Sequence, residues 1–286
     1  MSAPGNGFRL KSAAGLSISS INIPLWILVI WSVLALTAPL LPLQPDAIGL
    51  TRILATPGSA AWLGYDDLGR PLLDRLIVGA RTSFVVAFAV VGISMLVGTT
   101  IGLLAAWFGG LLDRLVVFVT DVFLAFPGIL LAIALAAVLG PGISNAVLAL
   151  AVVGWVGFAR LARAQALSLR TLDHVTAARA LGSGDITIAR RHILPLLISP
   201  LIVQATFELA GVVIAEATLS FLGLGVQPPA ASLGGMIRDG TRYMLVAPHM
   251  VVVPGLAVFL IVLSVNMLGD QLRDRLDVQL LTRRQP

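Results

Sequence analysis

The sequence predicts an all-α integral membrane protein with six transmembrane helices, and three observations lead there. Of its 286 residues, 58% are hydrophobic and only 12% are charged, about half the roughly 25% of a soluble domain. Apolar runs of about twenty residues, enough to cross a ~30 Å hydrocarbon layer, recur between polar segments. The 19 basic residues are also divided unevenly between alternate connecting segments, as the positive-inside rule requires.

Composition excludes several functions. With no cysteine, the chain has no disulfide, no attachment point for a c-type haem and no thiol nucleophile. Three isolated histidines leave little for a metal site. The net charge of +5 is scattered among apolar spans, so it sets orientation rather than binding nucleic acid. Lys11 is the sole lysine. A P-loop needs a lysine within a glycine-rich stretch to hold phosphates, so the chain carries no standard nucleotide site.

Taken in order, residues 1–22 are polar and rich in Ser and Gly, with Arg9 and Lys11, and read as a cytoplasmic tail. Residues 23–41 form a first span; the run is longer than a signal-peptide core and lacks a small-residue cleavage site. Residues 42–83 form an extracytoplasmic connection. In it Leu72, Leu73, Leu76 and Ile77, opposite Asp74 and Arg75, predict an amphipathic interfacial helix. The pair Asp66 and Asp67 reads as solvated capping residues, with no further metal ligand nearby. A five-span core over 84–268 follows. Its second span, 84–107, holds Gly92, Gly98 and Gly102, residues that permit close helix packing in lipid. Pro127 should bend the third span, 116–139. Asp121, near the start of that span, faces the bundle for structural reasons or touches the transport path. The turn Gly140-Pro141-Gly142 predicts a hairpin into the fourth span, 143–159, which ends at Arg160 and Arg163. The fifth span, 200–222, carries the only two glutamates, Glu208 and Glu216. Eight residues apart, they share a helix face. Gating, packing and proton coupling are all open to Glu216. A short helix around 233–243 should lie on the outer face. The last span, 248–268, should be capped by Gly269-Asp270 before a charged cytoplasmic tail over 269–286.

Between the fourth and fifth spans lies the stretch LDHVTAARALGSGDITIARRHILP, residues 172–195. Asp173 is a candidate N-cap, and Gly182 with Gly184 supplies a helix stop. The second half, 186–194, reads as a short helix or, from its alternating start, a strand. Ala177, Ala178 and Ala180 would let a partner approach closely. The charge distribution places this elbow in the cytoplasm with both termini: 13 basic residues fall on that side and 6 on the other.

The elbow resembles the EAA loop of permease subunits in bacterial ABC importers. Ala177, Ala178, Gly182, Leu194 and Pro195 match that pattern, while Thr176 stands where the family usually has Glu. The run LGYDDLGR at 63–70 through Gly79-Ala80-Arg81 resembles the peptide-type subgroup. So do Asp121, Leu124, Ala125 and Pro127, the run EATLSFLGLG at 216–225, and the spacing of the charged tail. The resemblance implies the type I ABC importer transmembrane fold, in a multi-pass protein of the bacterial inner membrane. It further implies a second permease of the dipeptide, oligopeptide or nickel type, with no cofactor of its own. Its expected partners are a related permease subunit in a heterodimer, two ATPase subunits that hold ATP and Mg, an extracytoplasmic substrate-binding protein, and membrane lipid. The implied coupling residues are His174, Ala177, Ala178, Leu181, Gly182, Ile186, Leu194 and Pro195. Asp121, Pro127, Glu208 and Glu216 are candidates for gate or path. The expected function is ATP-driven uptake of di- or oligopeptides without catalysis in this chain. A proton-coupled carrier, or a permease for nickel or another small solute, is the alternative.

Overall fold

The structure, a computed structural model, describes residues 18–59 and 61–282, with side chains described between 23 and 276. Among the described residues the chain is helical apart from its loops. The order is α1 (Ile18–Thr37), α2 (Leu72–Phe108), α3 (Gly110–Leu124), α4 (Gly128–Leu139), α5 (Ile143–Leu169), α6 (Asp173–Ala180), α7 (Asp185–Ile188), α8 (Leu194–Phe221), α9 (Leu233–Thr241) and α10 (His249–Thr282). Five helices are long and apolar enough to cross a membrane, and the pair α3 and α4, bent by 88°, makes a sixth candidate span.

The centre of the bundle is where α2 packs along α5 and both meet α8. Glycine and alanine set this contact. A methyl group on Gly98 would overlap the Trp155 carbonyl oxygen, and one on Gly102 would overlap that of Ala159. Ala105, Ala159, Ala162 and Ala166 along the same contact are buried. Lipid tails are as apolar as leucine, so backbone proximity and van der Waals packing, rather than expulsion of water, hold such helices together. Gly92, the third glycine of the span, has nothing near its missing side chain. On the flank, the Trp31 indole of α1 donates to the Ala80 carbonyl oxygen at 2.9 Å and meets Phe84 edge-on. Large apolar side chains such as Trp26, Phe118 and Val138 point outward, where lipid would meet them.

Several boundaries differ from expectation. The predicted interfacial helix at 72–77 is the first part of α2, which runs unbroken for 37 residues. No proline interrupts it, and Gly79 lets the backbone of Ser232 and Leu233 pack directly on it. The third span is two helices. Pro127 has no N–H, and its ring disfavours helical geometry in Phe126, so α3 stops and α4 leaves in another direction. The fourth span extends to Leu169. Helix α9 packs against α8 and α10, with Leu233, Gly234, Met236 and Gly240 buried. Gly269-Asp270 caps nothing: α10 continues to Thr282. A side chain at Gly269 would meet Thr206 and Phe207, so this glycine serves packing against α8. Arg9, Lys11, Arg283 and Arg284, which contribute to the charge asymmetry, lie outside the described residues.

Candidate functional site

The elbow is built in two arms. Helix α5 ends at Leu169, and the Arg170 guanidinium then donates to the Ala106 carbonyl oxygen near the end of α2, at 2.8 Å. Leu172, in extended geometry, is the N-cap of α6. Asp173 therefore stands in the first turn, and no side chain caps the helix, contrary to the sequence reading. The carboxylate still lies where the helix dipole favours it. The end of α6 is a Schellman turn. Ser183 N–H donates to the Ala178 carbonyl oxygen and Gly182 N–H to that of Arg179, both at 3.0 Å. Gly182 adopts φ +83°, the left-handed geometry this turn requires. The second arm is helix, not strand: α7 passes through a π-helical stretch, Ala189–Ile193, into α8. Pro195 then sits in the first turn of α8, where a missing N–H costs little.

Val175, Ile188 and Ile193 are fully buried and clamp the arms onto the bundle. Burial of each such side chain contributes about 1.5 to 3 kcal/mol. The Arg179 guanidinium lies 5.5 Å from the centre of the Trp107 ring of α2 and 3.9 Å from Asp185. Of the eight predicted coupling residues, Ala178 is buried and Leu194 half-buried, so both hold the elbow in place. His174, Ala177, Gly182 and Pro195 are exposed. Leu181 and Ile186, 87% and 84% exposed, flank the glycine turn and form an apolar heel. The coupling residues read from the sequence did not include Val175, Ile188 or Ile193. The spacing of Val175 and Ala178, three residues apart on one helix face, was the available signal.

The bundle carboxylates occupy different surroundings. Glu216 is 1% exposed. Its Oε2 accepts from Ser83 of α2 at 2.7 Å and its Oε1 from Ser220 at 2.8 Å, so it ties α8 to α2. Glu208 is half-buried on the same face and has no hydrogen-bond partner among the described residues. Its Oε1 lies 3.3 Å from where a methyl on Gly154 of α5 would stand, beside Ser94 of α2. The two-turn spacing thus turns both glutamates toward α2. Asp121 is exposed on α3, and Pro127, also exposed, marks the break before α4. These four residues do not form one cluster. Among the described residues no group of His, Cys, Asp and Glu has the arrangement of a metal site. The sequence reading did not anticipate the ion pair between Arg163 of α5 and Asp113 of α3, which makes two bonds at 2.5 and 2.7 Å.

A helical bundle with a broken third span and a two-armed elbow defines a class. The same fold occurs in the methionine ABC transporter MetNI in an inward-facing conformation. That match has a TM-score of 0.58 and 22% identity, over 71% of this chain and 97% of that one. It is the transmembrane fold of a type I ABC importer. Residues 98–280 match the binding-protein-dependent transport system inner membrane component family, and the chain belongs to that family. It is similar to the glutathione transport system permease protein GsiD of Pectobacterium atrosepticum, 44% identical over 80% of this chain and 76% of that one. It is also similar to the dipeptide transport system permease protein DppC of Alkalihalophilus pseudofirmus, 42% identical over 85% and 81% of the two chains.

Proposed function

We propose that this chain is one permease subunit of an ATP-driven importer of short peptides. In this reading it pairs with a related permease, and the elbow faces the cytoplasm together with both termini. Two separate ATPase subunits bind there, an extracytoplasmic protein delivers the solute, and the chain itself catalyses nothing. The elbow carries the reading. Its second arm is continuous with α8, Val175, Ile188 and Ile193 are buried, and Leu181 and Ile186 are left exposed, which supports a lever that a partner could move. Closure of the ATPases on ATP would move the lever as a rigid body and shift the bundle between two arrangements. Likeness to glutathione and dipeptide permeases supports the substrate class. Glu216, held by two serines, acts as a packing pin, and Asp121 and Glu208 are left to the path.

The test is uptake of labelled dipeptide into proteoliposomes containing the complete transporter. Uptake requires ATP and the ATPase subunits and survives collapse of the proton gradient. Uptake by this chain alone, driven by a pH gradient, would establish the proton-coupled carrier instead. ATP-driven uptake of nickel but not of peptide would transfer the reading to a metal permease.

A further inference from the structure

Most acids that the protein encloses are partnered by it. At the outer end Asp66, 3% exposed, accepts from Arg70 Nε at 2.6 Å and from the N–H groups of Leu68 and Arg70. It caps its own loop, so the expectation of a solvated pair fails for Asp66; Asp67 beside it lies 3.6 Å from Arg70 Nη2. Arg75 lies between Asp66 and the Pro229 carbonyl oxygen, and Arg238 pairs with Asp239. Asp113 is held by Arg163, and Glu216 by two serines. Glu208 is held by nothing.

Glu208 stands near the middle of α8, within a candidate membrane span. One turn before it comes Gln204, also half-buried. Neither side chain has a hydrogen-bond or ion-pair partner among the described residues. Both lean on glycines of α5. Glu208 Oε1 is 3.3 Å from where a methyl on Gly154 would stand, and Gln204 Nε2 is 3.4 Å from the same point on Gly157. Gly157 and Gly211, one on each helix, are exposed, and a methyl on Gly211 would meet nothing within 4 Å. The seam of α5 and α8 is therefore a notch with an acid and an amide in its wall and room where the glycines lack side chains. Arg160, about one turn along α5 from Gly157, is exposed and forms no ion pair with Glu208. Acids within spans face water or protein, because an ionised carboxylate in hydrocarbon is costly. A free amide is costly there too. Together the two groups call for a polar occupant that brings a positive charge.

We propose that this notch binds the N-terminal end of a peptide in transit, with Glu208 accepting from its primary ammonium group and Gln204 pairing with its first peptide group. An ionised carboxylate only accepts, whereas a carboxamide donates and accepts, as a peptide group does. Residues four apart on a helix hold their Cβ atoms about 5 to 6 Å apart. Both side chains can therefore reach one residue's length of extended chain, about 3.3 to 3.6 Å. The bare helix surface at Gly154 and Gly157 admits the peptide backbone. That the ammonium belongs to a transported peptide rests on the peptide-importer reading; the acceptor for an ammonium group does not.

Saturation-transfer NMR on the assembled transporter in lipid nanodiscs, without the binding protein, tests it with three probes: L-alanyl-L-alanine, its N-acetyl derivative and n-butylamine. The two free amines should bind, and the acetylated peptide should bind at least about tenfold more weakly than the free one. Glu208→Gln should weaken both amines by a similar factor and leave the acetylated peptide unchanged, while Glu208→Asp retains binding. Gln204→Leu should weaken the two peptides and spare butylamine. Equal affinity for free and acetylated peptide, or no saturable signal from either amine up to about 10 mM, would overturn the proposal. So would equal loss of all three probes in Glu208→Gln. A Glu208→Gln chain that no longer holds the related permease would overturn it too, by giving the carboxylate to a cation of that subunit. The wild-type comparison needs no variant to fold. Butylamine binding that depends on Glu208, in a transporter that takes up no peptide, would keep the site and remove the importer reading. ATP-driven peptide uptake without discrimination between the probes would do the reverse.

Discussion

At the residue scale the decisive fact is how each acid inside or beside the bundle is satisfied. Glu216 accepts from two buried hydroxyls; removing it leaves Ser83 without a partner and Ser220 with only the 3.4 Å bond from Val226 N–H, and a buried hydroxyl left unsatisfied costs about 1 to 3 kcal/mol. Glu216→Leu should therefore lower the thermal midpoint in detergent by several degrees. Glu216→Gln keeps one carbonyl acceptor and should lie between that variant and the wild type. Asp67 behaves in the opposite sense. Because folding raises its pKa, its ionised form costs stability, and the cost is present above the folded-state pKa and lost as pH falls through it. Asp67→Asn should therefore be more stable than the wild type at pH 7, with the advantage fading toward acidic pH. A difference that grows on acidification would show that Asp67 is a stabilising carboxylate. This residue was half legible in the sequence. Asp66 and Asp67 stood out as a pair, but their separate fates depend on Arg75, Pro229 and Asp239, brought near by tertiary packing.

At the scale of elements, the elbow is held by local chemistry that the sequence shows and by contacts that it does not. Gly182 was legible as the stop of α6, and its φ of +83° is the reason. A side chain there would meet nothing within 4 Å, so its cost is conformational, about 1 kcal/mol for a left-handed non-glycine residue. Gly182→Val should leave the protein in the membrane and sharply reduce ATP-driven uptake; unchanged uptake would remove the coupling role of this turn. The position of Pro195 was also legible, whereas the continuity of α7 with α8 was not. Proline reads as a boundary, and here it falls in the first turn of a helix that a π-helical stretch joins to the preceding one. The break at Pro127 was visible as a bend, but not its 88° angle or the packing of α4 on α5.

At the scale of the whole molecule, α2 runs the length of the bundle. Its first turns carry Arg75, which pairs with Asp46 and Asp66, its middle lies on α5 at Gly98 and Gly102, and Trp107 near its end receives Arg179 of the elbow. Membrane class and the number of spans were readable from composition and apolar run length, because lipid demands both. Helix ends were not, since α2, α5 and α10 are longer than a bilayer requires. Orientation rests on the charge asymmetry, and the elbow's role rests on that orientation. The absence of cysteine makes single-cysteine crosslinking a direct test of both. In the assembled transporter, Ile186→Cys at the elbow should crosslink to an ATPase subunit, and Trp62→Cys, 82% exposed in the α1–α2 connection, should not. Capture of the ATPase by the cysteine at 62 and not at 186 would contradict the account.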